Sequence, residues 1–203
     1  MCFSQQGEFQ MAVSEIPAEV AKETLIEPGR WTLRPAGRSD LDAVNRVIET
    51  AIRTWVVPER VRRLCVPLYR YSEHDLEFLD LVVAEAENIG IVGIAAWEEA
   101  DAVDAPAGYS ALLLHGIYVA PDQHRKGVGT RLFEVAEMAA SVRGFDGVLV
   151  KAQPGAGDFF RALGLEAIPV QDFSRDYPHR FWKPLKGLRV RGAARATPDR
   201  KDQ

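Results

Sequence analysis

One stretch of the sequence combines residue types that favour the binding of an anion. The mostly apolar run 113–121 ends at a proline, and a short polar loop then leads to Gly127 and Gly129, just before apolar residues at helical spacing. The first N–H groups of a helix have no partners within the helix, and the helix dipole makes that end positive. Glycines let a ligand approach the main chain closely, and Arg125 and Lys126 add positive charge. The pattern therefore predicts a phosphate or pyrophosphate site.

Two common phosphate-binding motifs do not fit this stretch. A Walker loop needs G-x-x-x-x-G-K-[ST], which the sequence lacks. A dinucleotide-binding fingerprint needs a third glycine, and Leu132 occupies that position. The simpler alternative to an anion site is a glycine-containing turn in front of a buried helix.

The elements that must position the loop follow from the periodicity of the remaining chain. Helices are predicted over 41–55, 58–69 and 128–142, with Ser39 and Asp40 as the N-cap of the first. A fourth helix is predicted to begin at Gly155 or Gly157 and to end at Gly164. Strands are predicted over 31–35, 79–86, 91–97, 111–119, 148–151, 165–170 and 180–183. Because the second and third strands form a hairpin, this order indicates a mixed α/β (α+β) domain and excludes a doubly wound parallel fold.

Composition places the chain among soluble globular proteins. It has 203 residues, of which 47% are hydrophobic, and a formal net charge of −4. Such a profile is typical of one globular domain and excludes a disordered, collagen-like or coiled-coil protein. We predict an acidic extension over 1–29, the folded domain over 30–186 and a basic, disordered tail over 187–203. The tail leaves binding to a nucleic acid as a minor alternative.

The cysteines and histidines show no metal-binding spacing. Cys2 and Cys65 lie far apart, and no H-x-x-H or H-E-x-x-H motif occurs. We therefore expect no metal and a reducing, cytoplasmic setting. No apolar run reaches the roughly 18 residues of a membrane helix, and we see no secretory signal.

Two segments in the expected order resemble motifs of the GCN5-related N-acetyltransferase (GNAT) family. Residues 124–129 read H-R-K-G-V-G, which is similar to the family's R/Q-x-x-G-x-G/A loop. Residues 159–165 read F-F-R-A-L-G-L, which is similar to its F-Y-x-x-L-G-F segment. The order of strands and helices is also similar to the family's, from Trp31 to about Leu185.

The resemblance implies a mixed, mostly antiparallel sheet of six or seven strands, flanked by helices and splayed between the fourth and fifth strands. It implies that acetyl-coenzyme A (acetyl-CoA) binds in that opening, with its pantetheine arm on the main chain of Ile117 and Val119. The amides of 125–130 would hold its pyrophosphate. The cofactor-binding positions that the resemblance implies are Ile117, Tyr118, Val119, His124, Arg125, Lys126, Gly127, Val128, Gly129, Thr130 and Phe160.

Transfer of an acetyl group to an amine needs a base, because an amine is mostly protonated at neutral pH. In the family a carboxylate often lies two residues before the position of Ile117, and here that residue is His115, a suitable base. Strand alternation predicts His115 on the same face as Ile117 and Val119, with Tyr118 on the opposite face. Glu98, at the end of the third strand, is the second candidate. The alternatives are a packed histidine and a solvent-facing carboxylate.

Two positions depart from the family pattern. His124 stands where Arg or Gln is usual, and it can still donate a hydrogen bond. Phe160 stands where many members have a tyrosine that protonates the leaving thiolate. Without that hydroxyl, the thiolate would take its proton from water or another donor, or would leave without an acid.

These features together predict an enzyme, an acyltransferase that moves an acetyl group from acetyl-CoA directly to a primary amine of a small molecule or peptide. A different acyl donor, an O-linked acceptor and an acetyl-CoA-binding regulatory domain without catalysis are the alternatives. A homodimer is common in the family, and no membrane partner is expected.

Overall fold

A seven-stranded mixed sheet organises the chain in the computed structural model, which describes residues 31–170, 174 and 176–185. The strand order is β1-β2-β3-β4-β5-β7-β6, and every neighbouring pair is antiparallel except the parallel pair β4–β5. The strands are β1 (Trp31–Pro35), β2 (Asp80–Ala86), β3 (Gly90–Glu99), β4 (Ala111–Val119), β5 (Gly147–Lys151), β6 (Glu166–Ala167) and β7 (Arg180–Pro184). The predicted mixed, mostly antiparallel fold is confirmed. The extension 1–29 and the tail 187–203 lie outside the described residues.

Within the described residues, four α-helices connect and cover the strands. They are α1 (Leu41–Arg53), α2 (Glu59–Leu68), α3 (Val128–Val142) and α4 (Gly157–Ala162). The predicted bounds of β4 and α3 are confirmed residue for residue. The first helix ends two residues before the prediction, and the second begins one residue after Pro58.

Two strand predictions are corrected. β3 continues through Glu98 to Glu99, so Glu98 lies within a paired strand and not in the loop that follows. β6 has two residues where six were predicted. Its ladder with β7 stops before Pro169, which has no N–H to donate.

The two faces of the sheet carry different helices. The α3 face is covered by α3 and by Phe160 of α4, and its buried strand residues include Val82, Ala84, Ala95, Trp97, Leu112, Leu114, Val148 and Val150. The opposite face, which we call the α1 face, packs against α1 and, at its margin, α2. Its buried strand residues include Leu81, Val83, Ile94, Ala96 and Tyr118, and the same side continues through Leu113 and Leu149.

The packing of α3 gives a prediction for stability. Leu132 is fully buried in the core of the α3 face, whereas Met138 on the same helix is more than a third exposed. Leu132→Ala is expected to lower the free energy of unfolding by about 2–5 kcal/mol, since it leaves a cavity. Met138→Ala, the control, is expected to change it by less than about 1 kcal/mol. Equal losses in urea denaturation would contradict this packing.

Candidate active site

The sheet opens between β4 and β5. These parallel strands pair only along their first halves, with Ala111–Leu114 facing Gly147–Val150. From His115 onward, β4 has no partner in β5 within the described part of the chain. The opening therefore lies at the predicted place, between the fourth and fifth strands, and begins at His115.

An extra residue in β4 marks the start of the opening. Gly116 pairs with Ala96 of β3, but the next β3 residue, Trp97, pairs with Leu114. His115 is therefore unpaired in the β3–β4 ladder, and the strand contains a β-bulge at this point. A bulge shifts the alternation of side chains by one residue. Residues separated by an even number of positions across the bulge therefore lie on opposite faces of the sheet.

The bulge corrects the predicted face of His115. Leu114 and Ile117 both pack on the α3 face although they are three residues apart, an odd step that alternation alone forbids. His115 follows Leu114 and lies on the other side, next to Glu98 on the α1 face. The prediction that His115 shares a face with Ile117 and Val119 is therefore wrong. The prediction that Tyr118 lies opposite His115 is also wrong, because Tyr118 belongs to the α1 face.

The main chain of β4 presents alternate peptide groups to the opening. Ala120 N–H donates to Val92 C=O at 2.8 Å, in register with the β3–β4 ladder. The peptide groups of Tyr118 consequently point toward β3, and those of Ile117 and Val119 point away from β3 into the opening. The Val119 carbonyl accepts a hydrogen bond of 3.0 Å from Nε2 of His124.

The loop after β4 has an unusual backbone that leads into α3. Arg125 has φ +61° and Gly127 has φ +85°, both in the left-handed region. The first bond of the helix runs from Arg131 N–H to Gly127 C=O. The N–H groups of Val128, Gly129 and Thr130 therefore have no acceptor within the helix, and they form the kind of concavity that binds anions.

Aromatic side chains form the wall beside this helix end. A Cβ at Gly129 would lie 3.1 Å from Cζ of Phe159, a tight contact that the glycine avoids. Phe160 is buried on the α3 face, with its ring centroid 5.2 Å from that of Phe159 and 6.1 Å from that of Phe181. The α4 position that carries a hydroxyl in many family members is therefore apolar here and closely packed.

His115 and Glu98 form a hydrogen-bonded pair at the point where β4 and β5 begin to separate. Nε2 of His115 lies 2.7 Å from Oε1 of Glu98, and their side chains are 34% and 38% exposed. A second pair, Lys151 and Asp104, lies at 2.7 Å at the end of β5. His115 and Glu98 were predicted from the sequence as separate candidate bases, and their contact was not predicted. Gly116 inside an apolar strand was the available signal, because such a glycine often marks a bulge.

A cluster of aromatic rings continues the α1 face away from His115. The Tyr118 ring lies 6.4 Å from that of Tyr69, which lies 5.2 Å from that of Trp55, both edge-to-face. Burial raises the pKa of Tyr118 well above that of an ordinary tyrosine, and burial likewise raises the pKa of Tyr69. These phenols stay protonated at neutral pH.

Metal binding and membrane crossing have no structural support in the regions that the structure describes. Among residues 31–170, 174 and 176–185, no three His, Cys, Asp or Glu side chains lie together as a metal site would require. No helix within those same ranges is both long and apolar enough to cross a bilayer.

Known proteins share both the sequence pattern and the fold. Residues 77–166 match the family model of the acetyltransferase (GNAT) domain. A GCN5-related N-acetyltransferase from Rhodopseudomonas palustris has a similar structure, with a TM-score of 0.60 and 20% identity, over 80% of this chain and 99% of that one. No curated protein matches the sequence.

Two further similar structures were solved with a ligand. The PaiA N-acetyltransferase from Thermoplasma acidophilum, in complex with coenzyme A, has a TM-score of 0.60 and 14% identity, over 77% of this chain and 99% of that one. A GNAT family acetyltransferase from Brucella melitensis, in complex with acetyl-CoA, has a TM-score of 0.51 and 20% identity, over 69% of this chain and 85% of that one.

The splayed mixed sheet with a glycine loop at the start of α3 is the GNAT fold. Residues 77–166 match the GNAT acetyltransferase domain, which is an acyltransferase domain, and the similar solved structures share this fold. The family predicted from the sequence is confirmed. The roles of the individual site residues stay predictions.

The loop gives a prediction of its own. Gly127→Ala is expected to lower the free energy of unfolding by about 1–2 kcal/mol, because a side chain disfavours the left-handed conformation. Apart from the glycine and its chain neighbours, no atom of the residues that the structure describes lies within 4 Å of the added Cβ, so the cost is one of backbone conformation. Gly155→Ala is the control, since Gly155 does not have a positive φ. Equal stabilities of the two variants in urea denaturation would contradict the loop geometry.

Proposed function

We propose that the protein transfers an acetyl group from acetyl-CoA directly to a primary amine of a small molecule or peptide. The observation that carries the proposal is the opening between β4 and β5, beside a main-chain edge without a partner in β5 and a helix start whose first N–H groups have no acceptor within the helix. The cytoplasmic location and the homodimer stay predictions from the sequence.

The cofactor would bind along the open edge of β4. Ile117 and Val119 turn their peptide groups into the opening, so an extended pantetheine arm can bond to them as an added strand would. The N–H groups at the start of α3 suit the pyrophosphate, and Arg125 and Lys126 add positive charge beside them. The similar structures in complex with coenzyme A and acetyl-CoA support the choice of this cofactor.

The reaction follows from the position of the thioester at the inner end of the opening. A neutral amine attacks the carbonyl carbon, the C–N bond forms, and the C–S bond breaks with its electron pair on sulfur. Main-chain N–H groups of β4 that face the opening would stabilise the negative charge on the carbonyl oxygen. His115 would take the proton from the amine, and the thiolate would be protonated by water, since Phe160 has no hydroxyl.

A regulatory domain that binds acetyl-CoA without using it is the second candidate, and the apolar Phe160 favours it. Both candidates bind acetyl-CoA, but only the enzyme releases thiol when an amine is present. Thiol release with a panel of polyamines, amino acids, aminoglycosides and peptides distinguishes them.

Binding of acetyl-CoA is tested by isothermal titration calorimetry. The wild type is expected to bind with a dissociation constant in the micromolar range, and Gly129→Glu is expected to abolish binding. The added carboxylate would meet Phe159 and repel the pyrophosphate at the start of α3. Met138→Glu is the matched control, because it adds the same charge about 13 Å further along the same helix. A folded wild type without binding would overturn the proposal.

The role of His115 is tested by steady-state kinetics with the best amine. His115→Ala is expected to lower kcat by about 10²-fold or more, because it removes the proton acceptor. The dissociation constant of acetyl-CoA is expected to change less than about twofold, since the cofactor lies along other residues. His74→Ala, at an exposed histidine remote in sequence, serves as the control. Unchanged kcat in His115→Ala would refute this role.

A further inference from the structure

The contact between His115 and Glu98 joins two side chains that local sequence does not bring together. Glu98 lies in β3 opposite Leu113, and His115 is the extra residue of β4. Glu98 lies on the α1 face by the alternation of β3, and His115 lies on the same face at the bulge of β4, so that Nε2 and Oε1 lie 2.7 Å apart. Glu98 is paired in the β3–β4 ladder, and so are Leu114 and Gly116 on either side of His115, so the ladder limits the relative position of the two side chains.

Among residues 31–170, 174 and 176–185, the pair makes no further ion pair. Within the described residues, the imidazole of His115 is the only hydrogen-bonding or ionic partner of the Glu98 carboxylate. The carboxylate is therefore not held by an arginine or a lysine, as Asp104 is by Lys151. Its one structural effect in these ranges is to orient the ring of His115.

An ionised carboxylate can only accept a hydrogen bond. The contact at Nε2 consequently requires a proton on Nε2, and the neutral ring is then the Nε2–H tautomer. The other ring nitrogen, Nδ1, keeps its lone pair, and no hydrogen bond to Nδ1 occurs in the described residues. The same logic applies wherever a carboxylate selects the tautomer of a basic histidine.

We propose that Glu98 is a positioning residue, which holds His115 in the Nε2–H tautomer so that Nδ1 accepts the proton of the acceptor amine. This inference rests on the proposed acetyl transfer. It replaces two alternative bases by one base and its orienting carboxylate. Glu98 also stabilises the imidazolium that forms when Nδ1 takes the proton.

The protons balance as follows in the proposed reaction. The ammonium form of the acceptor gives one proton to Nδ1, and the imidazolium releases it to solvent before the amine attacks. After the C–N bond forms and the C–S bond breaks, the nitrogen of the new amide gives its second proton to Nδ1. The coenzyme A thiolate takes one proton from solvent, so one proton is released for each amide formed.

The substitution that tests the inference is Glu98→Gln. The glutamine amide can donate to Nε2 as well as accept from it, so it no longer enforces the Nε2–H tautomer. We expect kcat to fall about 10–100-fold, as is typical when the orienting partner of a functional histidine is removed. The KM for acetyl-CoA is expected to stay within about twofold. Glu99→Gln is the matched control, because it removes the same charge at the neighbouring exposed residue.

A second readout needs no turnover. Long-range ¹H–¹⁵N NMR of the full chain reports the tautomer of each histidine, and the chain has only four. The wild type and Glu99→Gln are expected to show His115 as Nε2–H, and Glu98→Gln is expected to show a loss of that preference. Circular dichroism would verify that each variant is folded.

The outcomes separate this inference from the proposed function. Normal wild-type turnover with unchanged kcat and tautomer in Glu98→Gln would overturn the inference and leave the acetyltransferase intact. A wild-type His115 that is Nδ1–H would also overturn it. A wild type without amine-dependent thiol release would overturn both, whereas lowered kcat together with an altered tautomer supports both.

Discussion

One extra residue in β4 determines the geometry on which the site depends. Before it, β4 pairs with β5 and with β3, and after it β4 keeps only β3 as a partner among the described strands. Peptide groups that would bond to the neighbouring strand in a continuous sheet therefore face an opening. The same residue, His115, turns toward Glu98 because the bulge shifts the faces of the strand. The cofactor edge and the proposed base are thus two consequences of one irregularity.

The second element of the site is the loop into α3, whose conformation is stabilised by the packing of α3 against the sheet. The left-handed conformation of Arg125 costs about 1–2 kcal/mol for a residue with a side chain. Val128, Leu132 and Phe133 are almost completely buried against the sheet, and each contributes about 1.5–3 kcal/mol on transfer from water. Because the helix is anchored by its apolar side, its first N–H groups stay directed at the space beside the opening. Strain in the loop is therefore offset within the same element.

Local patterns predicted most elements, and contacts between strands accounted for the errors. The bounds of α3 follow from the glycine loop before Val128 and from Gly144 behind the helix, which are local signals. The face of His115 was predicted wrongly because the bulge arises from the pairing of β3 with β4. The alternation of side chains along one strand gives no information about that pairing. The contact with Glu98 was missed for the same reason. Gly116, a glycine inside an apolar strand, was the sequence signal that could have indicated the bulge.

Hydrogen exchange of single amides tests whether β4 offers the peptide groups of Ile117 and Val119 to acetyl-CoA. Exchange would be measured by NMR with and without saturating acetyl-CoA, with Tyr118 as the internal reference, because its peptide faces β3. Binding stabilises the whole fold and slows every core amide to some degree. The account predicts that exchange at Ile117 or Val119 slows by a larger factor than at Tyr118. Equal slowing at all three amides would contradict it.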